Sequence, residues 1–135
     1  MVSSRPGRAG AHGVIMKVLI ADDDQTIRLL LTDMLVDLGH SVIAAANGAE
    51  AVELAARKQP DAVILDFLMP KLSGLDALTA MRERGLAMPA VLLSAISDSS
   101  MRELEGFEAP DAILEKPFKK RTIEEALARA MRRER

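Results

Sequence analysis

The chain reads as an α/β protein: a doubly wound parallel sheet of five strands with helices on both faces. Three observations predict it. Short apolar runs alternate with stretches whose apolar residues recur every three or four positions. The connections between them are short, as successive βα units require. Ala62-Val63-Ile64-Leu65 is apolar at every position, which suits a strand buried on both faces of a parallel sheet.

Taken in order, Met1 to Ile15 carries Arg, Ser, Gly, Pro and His12 with no apolar period. It lacks the apolar core of a signal peptide and is expected to be a disordered extension, 1–15. Met16-Lys17-Val18 reads as an alternative start. Lys17 to Ala21 is the first strand, ending in Asp22-Asp23-Asp24. Asp24 can cap the helix that follows. In that helix Ile27, Leu30, Leu31, Met34, Leu35 and Leu38 form one apolar stripe. Gly39 stops it. Ser41 to Ala45 is the second strand. Asn47 opens a second helix through Lys58, with Ala51, Val52 and Ala55 inward, and Gln59-Pro60 ends it.

The third strand runs to Asp66. Pro70 cannot join a ladder and biases Met69 away from helix, so Phe67 to Ser73 is a loop. Gly74 to Arg84 is a third helix carrying Leu75, Leu78 and Met81, closed by Gly85. Pro89 to Leu93 is the fourth strand, ending in Ser94. Ser97-Asp98-Ser99 can cap a fourth helix with Met101 and Leu104. Ala112 to Leu114 is a short fifth strand before Glu115-Lys116-Pro117-Phe118. A last helix spans Thr122 to Arg133, with Ile123, Leu127 and Met131 inward. The pattern is (βα)5, and residues 16–135 are expected to be one domain.

Bulk composition narrows the function. A 135-residue chain buries roughly two thirds of its unfolded surface and needs no staples. With no cysteine there is no disulfide, thiolate metal site or cysteine nucleophile. No apolar run approaches the ~20 residues of a membrane span. The net charge of −2 argues against general nucleic-acid binding, and three Phe with no Trp or Tyr leave little for bases to stack on. The charge is uneven: residues 116–135 hold eight Lys/Arg against three Glu.

In open α/β sheets ligands bind at the carboxyl ends of the strands. Those ends offer Asp22, Asp23 and Asp24 on the first strand, Asp66 on the third, Ser94 on the fourth and Lys116 on the fifth. A flavodoxin-like order, 2-1-3-4-5, reverses between the first and third strands and sets the acidic pair across a crevice from Asp66. Carboxylates that close repel unless a cation sits among them. Oxygen-only donors suit Mg²⁺. A carboxylate nucleophile beside a metal, a hydroxyl and a lysine fits phosphoryl transfer through an aspartyl phosphate. Each residue alone has a plainer explanation: a strand-end serine is usually a turn, a lysine before proline is usually solvated, and an Asp triplet before a helix is usually a cap. Together at one sheet edge they point to chemistry.

These residues carry a family resemblance. Lys17-Val18-Leu19-Ile20-Ala21-Asp22-Asp23-Asp24, Val63-Ile64-Leu65-Asp66-Phe67-Leu68-Met69-Pro70, Leu92-Leu93-Ser94-Ala95 and Glu115-Lys116-Pro117-Phe118 resemble the receiver domain of two-component response regulators, over residues 17–133. The resemblance implies that Asp66 is the phosphoacceptor, taking its phosphoryl group from a phosphohistidine of a sensor histidine kinase or phosphotransfer protein. It implies that Asp22, Asp23 and Asp66 hold Mg²⁺, Asp22 through water, with the Leu68 carbonyl completing the site. Lys116 would pair with the carboxylate and then with the phosphoryl group, and Ser94 would swing to hydrogen-bond it. The Lys116–Pro117 peptide is expected to be cis, and Gly74 to relieve the loop after the acceptor.

The sequence departs from the family in two places. The family usually has Tyr or Phe three residues before the lysine; here it is Ile113, so readout through that face uses another element. The positions two after the acceptor and two after the hydroxyl are Leu68 and Ile96. Neither helps an attacking water, so the aspartyl phosphate is expected to be long-lived. The expectation is a cytoplasmic, single-domain response regulator that acts by binding a downstream protein target. It binds neither nucleic acid nor membrane directly, and is a monomer or a phosphorylation-dependent dimer. Leu29 and Val36 on the first helix could dock a kinase's helices, against ordinary surface scatter. The Arg129, Arg132, Arg133 and Arg135 group suits a helix C-terminus. Two other readings stay open. One is a phosphohydrolase of the haloacid dehalogenase type using Asp22, since Asp22-x-Asp24-x-Thr26 resembles its first motif. The other is a degenerate receiver that binds partners without phosphorylation.

Overall fold

A computed structural model describes residues 15–95 and 109–132. Along them run β1 (Lys17–Ala21), α1 (Gln25–Asp37), β2 (Ser41–Ala45), α2 (Gly48–Lys58), β3 (Ala62–Asp66), α3 (Gly74–Glu83), β4 (Ala90–Ala95), β5 (Ala112–Lys116) and α4 (Lys120–Met131). The helix expected around Met101 and Leu104, with its Ser97-Asp98-Ser99 cap, lies outside the described residues. So do Ile96, Arg133, Arg135 and residues 1–14 of the expected extension. The five strands form one sheet in the order β2-β1-β3-β4-β5, every pairing parallel.

Strand side chains alternate between the faces of a sheet, and the apolar runs fill both. Val18, Ile20, Ile64, Val91 and Leu93 pack with Leu31 and Leu35 of α1 and Ile123, Ala126, Leu127 and Ala130 of α4. Leu19, Val63, Leu65 and Leu92 pack with Ala51, Val52 and Ala55 of α2 and Leu75, Leu78 and Met81 of α3. The sheet thus separates two apolar cores. All five residues of β3 are buried, which explains why that strand shows no polar alternation.

The helix starts follow from their caps. The Asp24 side chain accepts the Thr26 N–H at 2.9 Å, and Asn47 accepts the Glu50 N–H at 2.8 Å. Ser73 caps α3 by accepting from Asp76 at 3.1 Å. Each cap satisfies a donor that the helix cannot. α1 ends where Gly39 takes φ 101°; α2 ends where Gln59 takes φ 50°. His40, buried just before β2, accepts the Met16 N–H on Nδ1 at 3.0 Å, which requires that nitrogen to be unprotonated. Burial pushes its pKa down.

Four expectations are corrected. Leu30 and Met131, expected on inward stripes, are exposed; the narrower lines Leu31–Leu35 and Ile123–Ala126–Leu127–Ala130 do the burying. β4 continues to Ala95 and β5 to Lys116, because Ser94 pairs with Glu115 and Ala95 with Lys116. Ser94 is therefore inside its strand. α4 begins at Lys120 rather than Thr122, with the Thr122 Oγ accepting the Lys119 N–H at 2.9 Å. α3 ends at Glu83, and Arg84 is its cap.

Candidate functional site

The site forms where β1, β3 and β5 end. Ala21 is in register with Leu65, so Asp22 and Asp66 follow side by side. Asp22 is fully buried and Asp66 nearly so, whereas Asp23 is exposed. One carboxylate oxygen from each of Asp22, Asp23 and Asp66 lies within 4.8 Å of the others. Lys116 Nζ reaches across from β5, 3.3 Å from Asp66 Oδ1 and 3.9 Å from Asp22 Oδ2. The sheet order explains the reach: β3 and β5 flank β4, so the lysine spans one strand. The Lys116–Pro117 bond is cis.

Electrostatics of the cluster is unbalanced. Three carboxylates face one ammonium. Burial, then the neighbouring Asp22 charge, push the Asp66 carboxyl up to about 6 against the opposing pull of Lys116. Burial also raises Asp22, partly offset by the Asp24 N–H. That N–H donates to Asp22 Oδ1 at 2.9 Å. The other oxygen, Oδ2, is buried and has no hydrogen-bond partner among the described residues. A buried carboxylate oxygen left so is costly. It lies in the acidic cluster, and the donors there are all oxygen. This set fits a hard divalent cation of the Mg²⁺ class.

The remaining expected residues take their places around this cluster. Ser94 is buried at the same sheet end, its Oγ donating to the Ala95 carbonyl at 3.1 Å. Leu68 stands 62% exposed on the loop after Asp66. Ile113 is also exposed, on β5. Gly74 packs behind Asp66: its N–H donates to the Phe67 carbonyl at 3.0 Å. A Cβ on it would overlap the Asp66 carbonyl oxygen and approach Leu92 Cδ1 to 3.0 Å.

Two features escaped the sequence reading. Arg28, on the first turn of α1, donates from Nη1 to the Asp22 carbonyl at 2.7 Å and so braces the backbone that presents the acidic pair. Its only sequence signal is a place four residues after the cap. Lys71 takes φ 72°, and the Leu72 N–H donates to the Pro70 carbonyl at 2.7 Å. Together these make a γ-turn of the rarer, strained hand.

Comparison with known proteins settles the family. A family model described as "Response regulator receiver domain" matches residues 18–128. The chain belongs to the response regulator receiver domain family. Among relatives of this receiver, "Response regulator MprA" of Mycobacterium leprae (strain TN) is 41% identical over 115 residues, 84% of this chain and 49% of that protein. The "Probable transcriptional regulator ycf27" of Porphyridium aerugineum is 36% identical over 118 residues, 87% of this chain and 48% of that protein. The receiver spans about half the length of the curated relatives it matches. Two solved structures share its fold. Chemotaxis protein CheY4 of Vibrio cholerae has a TM-score of 0.76 at 30% identity, covering 87% of this chain and 99% of that one. The receiver domain of sensor histidine kinase PA1611 of Pseudomonas aeruginosa PAO1 has a TM-score of 0.77 at 30% identity, covering 87% and 98%. That protein carries a magnesium ion coordinated in its active site cleft. Among the described residues of this receiver, no helix is long and apolar enough to cross a membrane.

Proposed function

We propose that this receiver is a phosphoacceptor switch whose acceptor is Asp66. The observation that carries the reading is the pair of buried carboxylates, Asp22 and Asp66, held beside one lysine, with Asp22 Oδ2 left without a hydrogen bond and 3.9 Å from that lysine. Asp22, Asp23 and Asp66, with the Leu68 carbonyl, would hold Mg²⁺. When bound, the ion neutralises the acids and draws charge from the phosphoryl oxygens. An Asp66 carboxylate oxygen attacks the phosphorus of a phosphohistidine. The new P–O bond forms as the P–N bond breaks, and the departing imidazole takes a proton. Lys116, released from Asp66, pairs with a phosphoryl oxygen instead. Ser94 donates its hydroxyl to another, pulling its strand end inward.

A sensor histidine kinase or phosphotransfer protein is the donor in this reading, in the cytoplasm. A partner protein reads the loaded state. The exposed Ile113 takes no aromatic part in that readout.

Intact mass after incubation with Mg²⁺ and acetyl phosphate tests the proposal. One phosphoryl group is expected on wild type and on none of the Asp66→Asn molecules. Turnover lost only in Asp22→Asn would instead support a hydrolase built on Asp22. No addition under any condition would support a binding module that works without phosphorylation.

A further inference from the structure

The turn between β2 and α2 touches both halves of the site. On one side the Ala45 carbonyl accepts the Asp22 N–H at 3.2 Å, which extends the β1–β2 pairing to the first acid. On the other, Gly48, the first residue of α2, packs against the loop that follows Asp66. A Cβ on Gly48 would overlap the Leu72 carbonyl oxygen and lie 2.8 Å from Leu72 Cβ. The backbones therefore meet with no room for a methyl group. Leu72 is the residue that closes the strained turn at Lys71.

α2 cannot easily be the partner that yields. Its first turn is fixed twice: Asn47 caps Glu50, and the Glu50 carboxylate accepts the Ala46 N–H at 2.7 Å. Ala51, Val52 and Ala55 anchor its inner face in the core. In the segment from Leu68 to Ser73, Leu68, Pro70 and Lys71 are exposed and no residue is fully buried, and a left-handed lysine persists only where its surroundings hold it. We propose that Gly48 is a positioning residue: its missing side chain lets α2 press on Leu72 and hold the Lys71 turn, and through it the Leu68 carbonyl. The link to the Leu68 carbonyl rests on the magnesium site proposed above. The brace itself rests on the packing alone.

Lys71 is exposed, so tryptic cleavage of the native protein at Lys71–Leu72 reads the loop without any phosphoryl chemistry. The test compares wild type, Gly48→Ala, Asn47→Ala and Val52→Ala by digestion, melting temperature and titration with Mg²⁺ alone. Val52→Ala destabilises the same helix from inside the core and serves as the stability control. Asn47→Ala loosens the first turn without adding an atom, and keeps the test open if Gly48→Ala fails to fold. The expected result is faster cleavage at Lys71 in Gly48→Ala and Asn47→Ala than in Val52→Ala at matched distance below the melting temperature. Mg²⁺ affinity in Gly48→Ala is expected to fall about tenfold, the usual effect of losing support behind a metal ligand. Equal cleavage and equal affinity across the variants would overturn the proposal, leaving Gly48 a packing residue. Faster cleavage with no Mg²⁺ binding even by wild type would keep the brace and remove the magnesium site.

Discussion

Asp66 is held in two ways that oppose each other. Burial and the Asp22 charge raise its carboxyl to about 6, while Lys116 stabilises the ionised form. An aspartate in the unfolded chain titrates near 4. Between roughly pH 4 and pH 6 the folded protein therefore holds the extra proton, and stability falls as pH rises. Above pH 6 the loss is complete. Without Mg²⁺, Asp66→Asn is expected to be more stable than wild type at pH 7.5 by on the order of 3 kcal/mol. The gap should close near pH 4; urea midpoints at the two pH values in EDTA give the comparison. A gap of the same size at both would mean that the charge is not what strains the site. Leu68 sets a second expectation. It is exposed two residues after Asp66, the acceptor proposed above, and offers no polar group to orient a water. Leu68→Asn should shorten the life of the aspartyl phosphate, followed by intact mass after removal of the phosphodonor. An unchanged decay would place control of hydrolysis elsewhere.

The helices were the most legible elements, because their caps are local. Asp24 accepts from Thr26 and Asn47 from Glu50, as their positions ahead of apolar stripes predict. Asp24→Ala is expected to lower stability by about 1 kcal/mol. It removes the cap without touching the two contacts that hold the Asp22 backbone, at Arg28 and Ala45; thermal unfolding would show it. Strand ends were less legible. Glu115 and Lys116 read as polar residues beyond a strand, but pairing with Ser94 and Ala95 keeps them in the ladder. The start of α4 was missed because Lys119 is not a capping type; the Thr122 hydroxyl reaches back to accept the Lys119 N–H. At the sheet edge, the placement of Asp22, Asp66 and Lys116 was legible because each stands at or just past the end of its strand, while Ser94 proved to lie one residue inside β4. Arg28 and Gly48 were not. What they touch, the Asp22 carbonyl and the Leu72 backbone, is set by the assembled fold and leaves no local pattern.

Across the whole molecule the sheet divides the interior. Leu35 belongs to the core under α1 and α4, and Leu78 to the core under α2 and α3. Leu35→Ala and Leu78→Ala should each cost about 2–5 kcal/mol. Their double variant should lose the sum to within about 0.5 kcal/mol, since the two share no packing partner. Denaturant unfolding of the three variants measures it, and strong coupling would mean that strain passes through the sheet.

That partition has a further meaning for how such a chain can change. Each helical layer rests on its own side of one common wall, so residues beneath α1 and α4 are free to drift without disturbing those beneath α2 and α3. Only the rim where the strands stop, with its acids and its lysine, answers to both sides at once.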